Sequence, residues 1–449
     1  MNAFSTVNPA TGATLNTYQH TSWEEAKKAI EAASEDFKSW RQTSFEQRAD
    51  VLRKLAQSLR QYKTELAQMM NQEMGKLLAE GKAEVEKCAM TCEYYAQEAA
   101  EMLQSQPAPS SPYKKAKVSF QPLGVVFSIM PWNFPLWQTI RFAAPALMAG
   151  NVILLKHADL TAGTAALIGQ IFSDLTKNYK LLRNIQVNHD VAAQVIADNH
   201  IRGVTFTGSS QGGRSVAIEA AKNLKKVVLE LGGSDAYLVL EDADVEMAAK
   251  TCVKARLVNC GQSCVAGKRF IVHEKVAKDF IHHFVNEMKG TEIAPLASKK
   301  FQKTIIEQVE KLKSWGGKVV LGGTAPQGEG AYYPATVVVF EKNHPKLHAE
   351  EVFGPVASIL IAKNTQEALD FANSSPYGLG GGVFTGDVKK GEELVEKELQ
   401  AGFVVVNDYV KSDPRIPFGG VKESGYGREL GHFGILEFVN IKTVAVAGE

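Results

Sequence analysis

The chain has 449 residues, 45% of them hydrophobic and 22% charged, with a formal net charge of +1 at pH 7. That length predicts about three domains and a core large enough to need no disulfide or structural metal, while the near-neutral balance gives no basis for a nucleic-acid or membrane-surface partner. The five cysteines, Cys88, Cys92, Cys252, Cys260 and Cys264, read as reduced thiols of a cytoplasmic protein; the chain offers neither an apolar run of about 18 residues nor a secretory signal in MNAFSTVNPATG.

Residues 21 to about 104 read as helices, because the apolar positions of ADVLRKLAQSLRQYKTELAQMM recur at helical spacing. Gly75 and Gly81 are the expected breaks. QSQPAPSSPYKK (104–115), rich in Pro and Ser, reads as a linker or a turn into a new element. Beyond it short β-branched runs alternate with helical stretches: VVFSIM, NVILLK, GVTFTG, KKVVLEL, DAYLVL, KRFIVH and FVVVND. Such alternation predicts βαβ units, an α/β class with parallel sheet covered by helices on both faces.

Five segments carry residue types suited to chemistry. In GVVFSIMPWNFPL (124–136) two prolines bracket Trp132 and Asn133 just after a strand; Asn133 is a neutral donor on a stiffened loop, suited to an oxyanion hole, or an Asn that fixes its own turn. ILLKHADLT (153–161) and GVTFTGSSQGGRSV (203–216) each run from strand to turn to helix. A helix start at Ser209 suits a pyrophosphate, and Asp159, with Lys156, suits ribose hydroxyls; either segment could also be an ordinary βα turn, and GxGxxG is absent. In VVLELGGSDAYLVL (227–240) Glu230 ends a strand before a Gly-Gly turn, as a general base or as a solvated strand-end acid. In NCGQSCVAGKR (259–269) Cys264 follows a Gly-Gln-Ser turn, as a nucleophile if its pKa is lowered or as a small buried hydrophobe. Thiol, donor, base and dinucleotide site together fit oxidation of an aldehyde, which needs no metal, and no HExxH or CxxC cluster is present.

With these segments in hand, the chain resembles the aldehyde dehydrogenase superfamily. The resemblance runs from NPATG (8–12) to FGGVKESGYGREL (418–430), and PWNFP, LLKHAD, FTGSSQGG, LELGGSD, GQSCVAGKR, EEVFGPV and PFGGVKESG follow one another in the family's order. The subgroup it is most similar to is the bacterial succinate-semialdehyde dehydrogenases, through LLKHA and VNDYVKSDPR. The resemblance implies a Rossmann-like dinucleotide-binding domain (1–105 and 122–231), an α/β catalytic domain (232–417) and a small β oligomerisation arm (106–121 and 418–449), assembled as a homodimer or homotetramer. It implies Cys264 as nucleophile, Glu230 as base, and Asn133 with the Cys264 N–H as oxyanion hole. It assigns Trp132, Lys156, Asp159, Gly208, Ser209, Gly213, Leu231, Glu351 and Phe353 to the cofactor, and Arg141, Ser412 and Arg415 to the substrate.

Departures from the family pattern sharpen the expectations. The subgroup's second Arg, six residues before the nucleophile, is Val258 here, with Arg256 two residues earlier. Asp159 stands for the Glu usual in NAD-preferring members; a carboxylate there repels a 2′-phosphate, so NAD is expected over NADP, with NADP possible. Residues 177–188 and 286–298 look short. The spacing of Cys260 and Cys264 also allows a reversible disulfide that would block the nucleophile. The alternatives within reach are a dehydrogenase of wider aliphatic or aromatic range, a cofactor-free thiol esterase, and a scaffold without turnover.

Overall fold

The computed structural model describes residues 3–109 and 111–447. It opens on a hairpin of β1 (Ala3–Val7) and β2 (Thr14–Gln19), which the sequence reading did not anticipate. Four helices follow: α1 (Trp23–Trp40), α2 (Phe45–Gln61), α3 (Lys63–Met74) and α4 (Leu78–Met102). Ser22 and Ser44 close capping boxes with Glu25 and Gln47, satisfying backbone N–H groups that the first turns leave unpaired. Gly75 ends α3 in the left-handed conformation at φ 78°, as expected of a break. Gly81, by contrast, lies inside α4, where a Cβ would stand 3.1 Å from the Ala67 backbone; close helix packing, not a break, accounts for it.

The segment expected as a linker pairs β3 (Gln106–Pro107) with β4 (Lys115–Pro122), Ser110 lying outside the described residues. Next come β5 (Val125–Met130), α5 (Pro135–Met148), β6 (Val152–His157), α6 (Ala162–Ser173), β7 (Leu182–Asn184), α7 (His189–Ala197), β8 (Ile201–Thr207), α8 (Ser210–Lys222) and β9 (Lys226–Glu230). A second series holds β10 (Ala236–Val239), α9 (Val245–Leu257), β11 (Arg269–His273), α10 (Glu274–Lys289), α11 (Lys299–Ser314), β12 (Lys318–Leu321), β13 (Thr336–Phe340), β14 (Val356–Ala362), α12 (Thr365–Asn373), β15 (Tyr377–Gly378), β16 (Gly380–Phe384), α13 (Val388–Lys397) and β17 (Phe403–Val406). The chain closes with β18 (Val421–Lys422), β19 (Gly425–Tyr426), α14 (Gly431–Ile435) and β20 (Val439–Val446).

Two larger sheets result. The first, ordered β19-β9-β8-β5-β6-β7, is parallel except at β19; the second, β12-β13-β14-β11-β10-β16-β17, is parallel except at β12. The run of fully buried β-branched and leucine residues in β5, β6 and β10 is what a strand covered on both faces requires. From β5 the chain winds outward through β6 and β7, then returns to β8 on the other side. That reversal leaves a crevice at the carboxyl ends of β5 and β8, where open α/β sheets bind ligands. A third sheet, β20-β4-β3, carries the exposed side chains of β20, Ile441, Val444 and Val446 among them.

Candidate active site

The crevice is a cavity of about 180 Å³ lined by Pro131, Trp132, Asn133 and Gln138 after β5, Thr207, Gly208 and Ser209 after β8, Leu231 and Gly232 after β9, and Cys264, Phe301, Glu351 and Phe353. Ten of the sequence-named residues thus converge from segments far apart in the chain: eight line the cavity, Glu230 immediately precedes Leu231, and Gly213 packs against it. Trp132 lies 4.6 Å from the Phe301 ring and 5.9 Å from that of Phe353, making an aromatic wall. Phe301 was not singled out from sequence; its position, just after the Ser298 cap of α11, carries no catalytic pattern.

The loop before Cys264 is unusual. Asn259 and Cys260 are left-handed at φ 53° and 55°, and Gly261 follows at 73°. Such a run is uphill for non-glycine residues by roughly 1–2 kcal/mol each, so contacts must impose it. Asn259 donates through Nδ2 to Asn133 O (2.8 Å) and Gln262 O (3.1 Å), and its N–H reaches Glu80 Oε1 at 2.9 Å. At Gly261 a Cβ would meet Gly354 O at 2.2 Å, so only glycine fits. On the far side of Cys264, Lys268 Nζ donates to the carbonyls of Ser263 (2.9 Å) and Cys264. Arg256 Nη2 ties down Gly261 O at 2.7 Å, a bracing role rather than a place in the cleft.

Asn133 is 5% exposed, and its Nδ2 donates to Gln262 O at 3.1 Å. An amide nitrogen has two hydrogens, so one N–H is left for an oxyanion. The loop that holds it is anchored by Glu84 of α4, whose Oε1 accepts from the N–H groups of Leu136 (3.0 Å) and Trp137 (2.9 Å) at the start of α5. Removing a donor of this kind costs about 10²–10³-fold in turnover. Asn133→Ala is therefore expected to lower kcat by that factor in steady-state NADH formation while leaving the melting temperature within a few degrees; an unchanged kcat would remove Asn133 from the site.

Burial pushes the Cys264 thiol up to about 12, against the opposing pull of Lys268 and Arg141; Glu230 lies close enough to add to the rise. The Glu230 carboxyl is buried, and neither oxygen has a hydrogen-bond partner. Burial first, then Glu429, hold its pKa well above the carboxylate range, with Arg141 and Arg428 opposing. Glu351 accepts from Gly233 N–H at 2.9 Å and stands 3.9 Å from Lys268 Nζ. Cys260 turns elsewhere: its Sγ donates to Ala294 O, burial lifts its thiol to about 12, and all five cysteines are free.

Beyond β6 Asp159 accepts from Gln186 Nε2 (2.6 Å) and pairs with His20 Nε2 (3.1 Å), with Lys156 Nζ 3.9 Å away. Ser209 caps α8, accepting from Gly212 N–H at 3.2 Å, and a Cβ on Gly213 would meet Leu231 at 2.5 Å. The helix start, the acid beside a half-buried lysine and the aromatic wall fit a dinucleotide along the crevice.

The substrate residues sit differently from the expectation. Arg141 does not line the cavity: its guanidinium pairs with Glu429 in the buried core and lies 4.9 Å from the Phe418 ring centroid. Arg415 is exposed and folds back on Asp413, with Nε–Oδ1 at 2.7 Å. Ser412 accepts from Lys87 Nζ at 2.8 Å.

Comparison with known proteins shows the family. The model of the aldehyde dehydrogenase family matches residues 1–444. The chain belongs to the aldehyde dehydrogenase family. A probable succinate-semialdehyde dehydrogenase [NADP(+)] of Synechocystis is 43% identical over 99% of this chain and 100% of that protein. A succinate semialdehyde dehydrogenase [NAD(P)+] of Escherichia coli is 41% identical over 98% of this chain and 96% of that protein. The crystal structure of succinic semialdehyde dehydrogenase from Streptococcus pyogenes, in complex with NADP+, superposes at a TM-score of 0.95 with 34% identity, covering 99% of this chain and all of that one. Among the described residues no helix is long and apolar enough to cross a membrane, and no group of three or more His, Cys, Asp or Glu is placed to hold a metal.

Proposed function

We propose that this aldehyde dehydrogenase oxidises a short dicarboxylic semialdehyde, succinate semialdehyde foremost, to the dicarboxylate with a nicotinamide dinucleotide. The observation that carries the chemistry is that Cys264 and Asn133 line one crevice beside the Trp132–Phe353 wall, with Glu230 close enough to act electrostatically on the thiol. Cys264 Sγ, once deprotonated, adds to the aldehyde carbon, and the oxyanion that forms takes hydrogen bonds from Asn133 Nδ2 and the Cys264 backbone N–H. A nicotinamide, which Leu231 and Phe353 would hold, would accept the hydride that the oxyanion expels from the former aldehyde carbon, leaving a thioester on Cys264. Glu230 then takes a proton from water, which attacks the Cys264 thioester and releases the acid. Lys156 and Asp159 would hold the adenosine ribose, Gly208, Ser209 and Gly213 the pyrophosphate, and Glu351 the nicotinamide ribose.

The proposed division into a dinucleotide-binding domain (1–105, 122–231), a catalytic domain (232–417) and an arm (106–121, 418–449) puts the largely exposed strand β20 in the arm. Its apolar side chains favour a homodimer or homotetramer, which light scattering at micromolar protein would distinguish from a monomer. The substrate test is purified enzyme with succinate semialdehyde beside butanal and benzaldehyde, each with NAD and NADP. The semialdehyde is expected to have the highest kcat/KM, and NAD to exceed NADP because the Asp159 carboxylate faces a 2′-phosphate. Equal rates on all three aldehydes would instead support the wider-range dehydrogenase, and a clear NADP preference would overturn the role of Asp159.

A further inference from the structure

Lys268 lies behind the nucleophile, immediately before β11, with its side chain 1% exposed. Taking an ammonium out of water is costly unless hydrogen bonds and opposite charge replace the lost hydration. Here both do. Its Nζ donates to Ser263 O at 2.9 Å and to Cys264 O, and Glu351 Oε1 stands 3.9 Å away. Burial lowers the pKa of the ammonium and Arg256 adds to that; Asp235, then Glu351 and Cys264, raise it.

The two carbonyls that Lys268 grips belong to the peptides on either side of Cys264. The first peptide, Ser263–Cys264, is the one whose N–H donates to the oxyanion in the proposed reaction. Among the described residues that N–H has no backbone hydrogen-bond partner, whereas the oxygen of the same peptide is doubly occupied: Ser263 O accepts from Lys268 Nζ and, at 3.2 Å, from Ala266 N–H. A cation on an amide oxygen draws electron density from the amide nitrogen, which makes the N–H a stronger donor. It also fixes the peptide plane, so the N–H is aimed before substrate arrives. The other donor, Asn133 Nδ2, is tied to Gln262 O, one peptide earlier in the same loop. Resting on the reading of the Cys264 N–H as an oxyanion donor, we propose that Lys268 is a positioning residue of the oxyanion hole, its ammonium orienting and polarising the Ser263–Cys264 peptide through Ser263 O while it holds Cys264 O.

Two rates measured at one pH separate this role from a general effect on the thiol. Iodoacetamide alkylates Cys264 without forming an oxyanion, whereas the NADH burst with succinate semialdehyde passes through one. Both reactions need the thiolate, on which Lys268, Arg141, Glu230 and Asp235 all act, so a change in its ionisation lowers both rates by the same factor. In Lys268→Met the burst rate is expected to fall at least about tenfold further than the alkylation rate, a part of the about 10²–10³-fold that loss of a whole donor costs. Lys268→Arg, which keeps the charge, should recover part of that difference. Melting temperatures show whether each variant is folded, and Lys268→Gln replaces Lys268→Met if the latter is not. Asn133→Ala serves as the reference, expected to slow the burst and spare alkylation. If it does so while the neutral Lys268 variants slow both rates alike, or neither, the role of Lys268 alone is overturned. If Asn133→Ala itself slows both rates alike, or neither, the oxyanion reading is overturned and the role of Lys268 with it.

Discussion

Cys264→Ala is expected to abolish aldehyde-dependent NADH formation, by at least ~10⁴-fold, because no other group can carry the acyl intermediate. The structure excludes the other thiols on physical grounds. Cys88, Cys92, Cys252 and Cys260 are buried, whereas Cys264 is partly exposed and lines the crevice. Iodoacetamide should therefore modify one cysteine per folded chain, and Cys264→Ala should modify none. The rate carries a second message. Burial raises the thiol well above its ordinary value, so labelling should be slow at neutral pH and accelerate through the alkaline range. Fast labelling at pH 7 would mean that Lys268 and Arg141 outweigh desolvation. Residual turnover above about 1% in Cys264→Ala would remove the thiol from the mechanism.

What sequence could reveal follows the range of the interactions. Cys264, Glu230 and Asn133 each lie in a contiguous segment whose turn chemistry sets the side chain at a strand or helix end, so local pattern was enough to nominate them. The strands from Val125 onward were legible for the same reason: both-face burial writes an apolar run into the sequence. The hairpin of Ala3–Val7 and Thr14–Gln19 was not, since its side chains are mostly polar and exposed. Glu84 and Glu80 read only as polar positions on a helix, yet packing α4 against α5 and the Asn259 loop turns them into anchors of the site. Arg141 shows the converse. The family resemblance assigns it to the substrate, while Glu429, 288 residues later in sequence, arrives through the last segment of the chain and pairs with the guanidinium. No pattern at Arg141 itself carries that information.

Glu230→Gln is expected to separate the two halves of the reaction. The amide keeps the shape of the side chain and removes the base, so water is no longer activated against the thioester, a loss of about 10²–10⁴-fold in steady-state kcat. Acylation of Cys264 precedes that step. A rapid first release of NADH, close to one per active site, should therefore survive in the variant and be followed by a slow steady state. The sign of the pH dependence follows from the burial of Glu230 and its neighbour Glu429, which raise its pKa well above the usual carboxylate range. The base form is scarce at low pH and grows as pH rises, so deacylation in the wild type should accelerate from neutral into alkaline pH, and this limb should flatten in Glu230→Gln. Loss of the burst along with turnover would place Glu230 earlier, as the acceptor of the Cys264 proton; the high thiol pKa makes that the sharper alternative, and rapid-mixing kinetics with the two proteins side by side decides it.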